Sequence, residues 1–188
     1  VRPTGEVVQR YSVLNFANAI GTAQADELIG NVQDNRLDGG EGDDLLQGTS
    51  TSKGLKERDI LTGGGYDRFV GGTQDNPFYV DPFSSSDPNG KASFATITDL
   101  SFGDQIQLAA GQEYLADFAD DGITYTIKQR STLANGTIYD NLIIRATFTG
   151  GTSAIAKTTA GLDSIASPAP QGAFTLVAEQ SLGIIIGA

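Results

Sequence analysis

Polar and apolar positions between Gly21 and Gly72 recur with a period of nine. Three units follow in step: Gly21 to Ile29, Gly30 to Asp38, and Gly39 to Gln47. Each opens with Gly, carries Asp or Asn sixth and Leu eighth. A fourth unit starts at Gly48 but holds about six extra residues before Asp59-Ile60-Leu61, and a fifth, Gly63 to Phe69, is short by one. Leu28, Leu37, Leu46, Leu61 and Phe69 share one phase, which predicts a short strand in every unit with that residue facing inward. Before the repeats, Val7, Val8, Tyr11, Val13, Leu14 and Phe16 alternate enough for one or two strands that cover an open end. After them, Asn76 to Asn89 is rich in Pro, Ser, Asp and Asn and reads as a long loop. Strands resume at Phe94 to Asp99 and Gln105 to Leu108. The β-prone segments around Ile123 to Ile127 and Thr137 to Phe148 flank Asn135-Gly136, a hairpin turn. Gly150 to Gly172 reads as a loop with one short helix, Ala173 to Ala178 as a strand, and Leu182 to Gly187 as an uncharged apolar end.

Glycine permits positive φ and close backbone approach, so the first six residues of each unit can form a tight turn before the strand. A single unit cannot bury its one apolar side chain; stacked neighbours can, along a continuous aliphatic ladder. The same stacking gathers turn carbonyls and sixth-position carboxylates, which repel one another unless a cation lies between them. Each turn is half a site for a hard metal. Glu27, Asp34, Asp38 and Asp43 fall off the sixth position and read as solvated charges.

Composition narrows the chemistry. The 188 residues carry 12 Lys and Arg against 23 Asp and Glu, a formal charge of −11, which disfavours a nucleic-acid partner. Hard cations suit clustered carboxylates, while an acidic surface that serves only solubility is the plainer alternative. No Cys and no His are present, which removes disulfides, zinc thiolates, histidine metal sites and the Ser-His-Asp arrangement. No apolar run approaches the ~20 residues of a membrane span, and no signal-peptide order is visible at the first residues.

Gly39-Gly40-Glu41-Gly42-Asp43-Asp44-Leu45-Leu46 resembles the G-G-x-G-x-D-x-U nonapeptide of repeats-in-toxin proteins, also called haemolysin-type calcium-binding repeats. The resemblance covers about 50 residues. It implies an all-β fold: a short parallel β-roll, a calcium-binding solenoid, followed by an antiparallel β-rich capping region. The chain then divides into N-terminal capping strands at 1–20, the β-roll at 21–75, a linker loop at 76–90 and the cap at 91–188. In that family two nonapeptides make one turn and calcium lies between turns on the same side, so Asp26 would pair with Asp44, Asn35 with Asp59, and Asp44 with Asp67. Carbonyls around Gly21, Ala23, Gly30, Gly39, Glu41, Gly48 and Gly63 would complete the sites. The Asn at 35, the missing glycines at 24 and 33, the insertion from Thr49 to Lys56 and the short last turn depart from the pattern. About two or three calcium ions are expected, each needing two competent turns. The stretch Asp99-x-x-x-Gly103-Asp104-x-Ile106-x-Leu108 resembles the strand pair that follows such repeats. Asp99 and Asp104 would hold a further calcium or brace a turn.

The functional expectation is a secreted, extracellular or cell-surface structural protein that is not an enzyme. Its partners would be calcium and copies of itself in a layer or filament, with no nucleic acid and no membrane span. The alternative is the C-terminal secretion and stability module of a larger exoenzyme. A carbohydrate-acting enzyme using Asp120 and Asp121, or Asp99 and Asp104, is a third reading, against which acidic pairs at strand ends serve as turn residues. Asn135-Gly136-Thr137 is also a glycosylation sequon, though a turn needs the same residues. The apolar end fits a closing strand, an uncleaved secretion signal or a strand offered to a neighbour.

Overall fold

A computed structural model describes residues 16–49, 56–83 and 92–149, together with the backbone of 174–175 and 183–186. The alternating residues at 7–14, residues 50–55 of the Thr49 to Lys56 insertion and the 150–172 loop lie outside the described residues. The described chain is all β. Its first strands are short: β1 (Asn18–Ile20), β2 (Glu27–Ile29), β3 (Arg36–Asp38), β4 (Leu45–Gln47), β5 (Arg58–Thr62) and β6 (Arg68–Val70). A two-residue ribbon of β7 (Gly72–Thr73) and β8 (Asn76–Pro77) follows. Longer strands come next: β9 (Phe94–Leu100), β10 (Gln105–Leu108), β11 (Glu113–Phe118), β12 (Thr124–Thr132) and β13 (Ile138–Phe148). The last two are β14 (Phe174–Thr175) and β15 (Gly183–Ile186).

Successive short strands go to opposite sheets. The seven-stranded sheet runs β1-β3-β5-β9-β13-β12-β11, and the six-stranded sheet runs β14-β15-β10-β6-β4-β2. Neighbours within each set of short strands are parallel, as are β5 with β9, β6 with β10, and β10 with β15. The glycine turns are what allow three-residue strands to change sheets every nine residues. Their side chains alternate, so one residue per strand faces the gap between the sheets. In one sheet these are Leu37, Leu61, Ile97 and Ala146, all buried; in the other, Leu46, Phe69 and Ile106, with Leu28 half-buried at the edge.

The expected boundary at 76–90 interrupts neither sheet, because β9 lies beside β5 and β10 beside β6. The segment read as a linker also contributes to the core: Phe78 and Tyr79 are each only 1% exposed. Two adjacent large aromatics outweigh the polar composition around them, and burying them is worth about 1.5–3 kcal/mol each before costs. The antiparallel part begins after β10. There β11, β12 and β13 form a meander, with a register shift between Ile127 and Lys128. The β12–β13 turn is built as the Asn135-Gly136 pair suggests: Gly136 has φ +82°, and the Thr137 N–H donates to Asn135 Oδ1 at 3.0 Å.

Candidate metal centre

The sixth-position side chains form two columns, one at each side of the stack. In the first column, the Asp26 N–H donates to Asp44 Oδ1 at 2.7 Å, the Asp44 N–H to Asp67 Oδ1 at 2.9 Å, and the Asp67 N–H to Asp104 Oδ1 at 2.9 Å. In the second, the Asn35 N–H donates to Asp59 Oδ1 at 2.7 Å. The residues of each expected pair thus lie side by side, joined by a hydrogen bond, and Asp104 extends the first column by one layer. Every one of these side chains is at most 6% exposed.

Each carboxyl also folds back over its own turn. The Thr22 N–H and hydroxyl donate to Asp26 Oδ2, the Gly65 N–H to Asp67 Oδ2, and the Ser101 N–H and hydroxyl to Asp104 Oδ2. This explains the glycine at the head of every unit. A Cβ on Gly21, Gly30, Gly39, Gly48 or Gly63 would run into the side chain of Asp26, Asn35, Asp44, Asp59 or Asp67, respectively. The Gly39 carbonyl lies against Gly21 and that of Gly48 against Gly30, so first-position carbonyls stack from turn to turn. Ala23 and Glu41 occupy exposed turn crests, where the Glu41 N–H donates to the Thr22 carbonyl at 3.1 Å.

The departures from the repeat have local causes. Asn35 ends the second column, and its Nδ2 donates to the Phe16 carbonyl at 2.9 Å, a bond no carboxylate could make. Where the Gly48 turn carries its insertion, the second Asp59 oxygen takes the Tyr79 hydroxyl at 2.6 Å. Asp99 and Asp104 do not share a turn: Asp99 accepts the Gly63 N–H at 3.0 and 3.1 Å, while Asp104 belongs to the first column. Asp121 accepts from the Ile123 N–H and from the Thr124 N–H and hydroxyl, which makes it a turn brace.

Three groups had no signal in the repeat. Glu57 is 3% exposed, Asp81 accepts both the N–H and the hydroxyl of Ser93, and Tyr79 reaches Asp59 from a segment read as loop. Among these, only the apolar run Phe78-Tyr79-Val80 inside the polar Asn76 to Asn89 stretch offered a hint.

These carboxyls are held at a cost. Burial pushes Asp59 and Asp67 up to about 6 and Glu57 up to about 7, against hydrogen bonds that act the other way. Burial also raises Asp44, Asp99 and Asp104. Asp44 meets this cost with one oxygen unsatisfied: its Oδ2 is buried without a hydrogen-bond partner, and the charges acting on it, Asp26, Asp43 and Asp38, are all negative. Glu57 Oε1 is likewise buried and unpartnered. A hard cation would supply what Asp44 Oδ2 lacks, with Asp26 and the Gly21 and Gly39 turns as neighbours. Elsewhere in the columns, both oxygens of Asp59, Asp67 and Asp104 already accept a donor. Among the described residues no three Asp or Glu side chains converge as a metal cluster, so most ligands of an ion here would have to be backbone carbonyls.

Comparison of the chain with protein-family models and with curated proteins finds no match.

Proposed function

We propose that this chain is a calcium-stapled structural protein that works outside the cell, and that its alternating parallel strands form a short β-roll of the repeats-in-toxin kind. The observation that carries this reading is Asp44 Oδ2, a buried carboxylate oxygen with no donor and only negative neighbours, at the centre of the best-formed repeat. Asp26, Asn35, Asp44, Asp59 and Asp67, with the carbonyls of the glycine turns, are the proposed ligand set, and Asp44 with Asp26 is its core. Calcium, when bound, neutralises the columns. The chain's own residues do the rest: glycines let each carboxyl close over its turn, and the N–H of each layer fixes the carboxyl of the next. Binding then appears as folding free energy. Extracellular modules bind calcium at about 10⁻⁴ to 10⁻³ M, so export from a calcium-poor compartment would complete the fold. Use as a secreted layer or filament subunit, and use as the C-terminal module of a larger exoenzyme, are both compatible with such a stack.

A second reading rests on the same columns. Because Oδ1 of each layer already accepts an N–H from its neighbour, the turns could be held by hydrogen bonds alone. Circular dichroism of chelated protein titrated with calcium separates the two. The calcium reading expects a gain of β-structure and a rise in Tm, with Asp44→Asn raising Tm in chelator and abolishing the calcium response. Full β-structure in chelator, with no response to calcium, would favour the hydrogen-bonded ladder.

A further inference from the structure

We propose that the outer face of the seven-stranded sheet binds an extended anionic polysaccharide, one that carries carboxylate or sulfate groups along its length. The inference does not depend on calcium. It starts from how charge is distributed. In a chain of net charge −11, the described basic residues are unevenly placed: Arg36, Arg58, Lys128, Arg130 and Arg145 lie on strands of this sheet, Arg68 on a strand of the other, and Lys56 outside the strands.

Three of these arginines form a strip. Arg36 pairs with Ile60, Ile60 with Thr96, Thr96 with Arg145, and Arg145 with Thr126, so one row crosses β3, β5, β9, β13 and β12. The next residues along, Leu37, Leu61, Ile97 and Ala146, are buried between the sheets, which places the row on the outside. Three strand spacings separate Arg36 from Arg145, roughly 14 Å. Arg58 joins them one step down. It pairs with Phe94 on the same outer face, and its guanidinium carbon stands 5.0 Å from the Phe94 ring centre, while that of Arg145 stands 5.1 Å from it. The two guanidinium groups cover the ring, which is only 8% exposed. Stacking on the aromatic face orients the exposed Arg145 guanidinium and leaves its N–H edge for an oxyanion. The Arg58 Nε bond to the Ala92 carbonyl, 3.2 Å, fixes that side chain further.

The geometry selects the ligand class. A single anion cannot touch both Arg36 and Arg145, and a flat sheet gives no pocket to enclose one, so affinity must come from several shallow contacts along a polymer. Thr96, between the arginines, and Thr126, beyond Arg145, suit a hydroxyl-rich chain. A single-stranded nucleic acid would want exposed aromatic rings for its bases, and here the ring lies under the guanidinium groups.

Calorimetry on the full chain at low ionic strength and fixed calcium tests this, with hyaluronan hexasaccharide (carboxylate only) and chondroitin sulfate hexasaccharide (carboxylate and sulfate) as probes. Their disaccharides, neutral dextran and oligothymidylate serve as comparisons. At least one anionic hexasaccharide should bind about tenfold or more tightly than its disaccharide, and added salt should weaken it. Arg36→Gln/Arg145→Gln, folded by circular dichroism, should lose about tenfold or more of that affinity, while Arg68→Gln keeps it. No binding of either hexasaccharide, equal binding of dextran, tighter binding of oligothymidylate, or an unaffected double variant would overturn the proposal.

Discussion

Asp59 and Tyr79 show how much one buried pair can decide. The phenol is 1% exposed and donates to a carboxyl that is itself fully buried, so Tyr79→Phe removes a donor without leaving a large cavity. The loss should be about 1–3 kcal/mol. It should be larger where Asp59 is charged, above its value of about 6, than where it is protonated; urea unfolding on either side of that pH, in chelator, checks both. An equal loss at both would mean that the hydroxyl serves packing alone. The Asp59–Asn35 half of this site was legible in the sequence, since a period of nine with a fixed acidic phase leaves few other pairings. The Tyr79 half was not, because the aromatic arrives from 20 residues away by tertiary packing and has no local pattern to betray it. Glu57 was hidden for another reason: it stands beside an insertion that breaks the phase.

At the scale of elements, three-residue strands have almost no stability of their own, and each depends on its two neighbours. Position within the stack should therefore matter more than residue type. Leu61→Ala, between Leu37 and Ile97, should cost about 2–5 kcal/mol, whereas Leu28→Ala, half-buried on the edge strand β2, should cost visibly less. Denaturant midpoints of the two variants give the comparison, and equal losses would argue against a neighbour-dependent stack. Strand identity was legible wherever apolar phase and glycine turns coincided, from β2 to β6, and again at the β12–β13 hairpin. Sheet membership of β9 and β10 was not. Partners in the later layers stand 36 and 37 residues apart instead of 18, so the ribbon and the polar stretch between them disguise the continuing repeat.

For the whole molecule, the buried carboxyls set a pH dependence. Asp59 and Asp67 rise from 3.8 to about 6 and Glu57 from 4.5 to about 7, so each favours the folded chain when protonated. That contribution is complete below the unfolded values and is lost as pH climbs through about 6 to 7. Calcium-free protein should therefore melt at a lower temperature at about pH 8 than at about pH 5, and saturating calcium should shrink the difference. Scanning calorimetry with and without chelator measures it; a chelated protein most stable at alkaline pH would contradict the buried-carboxyl account.

The alternation of strands between two walls imposes a rule of parity on how such a chain can lengthen or shorten. Loss of one nonapeptide would send every later strand to the opposite wall, where it would meet the wrong neighbours and strand the long antiparallel meander on the other side. Loss or gain of two would leave each strand on its own side. The extra residues between β4 and β5 move no strand across, since those two strands still stand on opposite walls, so length changes in this chain should accumulate between strands or come in pairs of repeats.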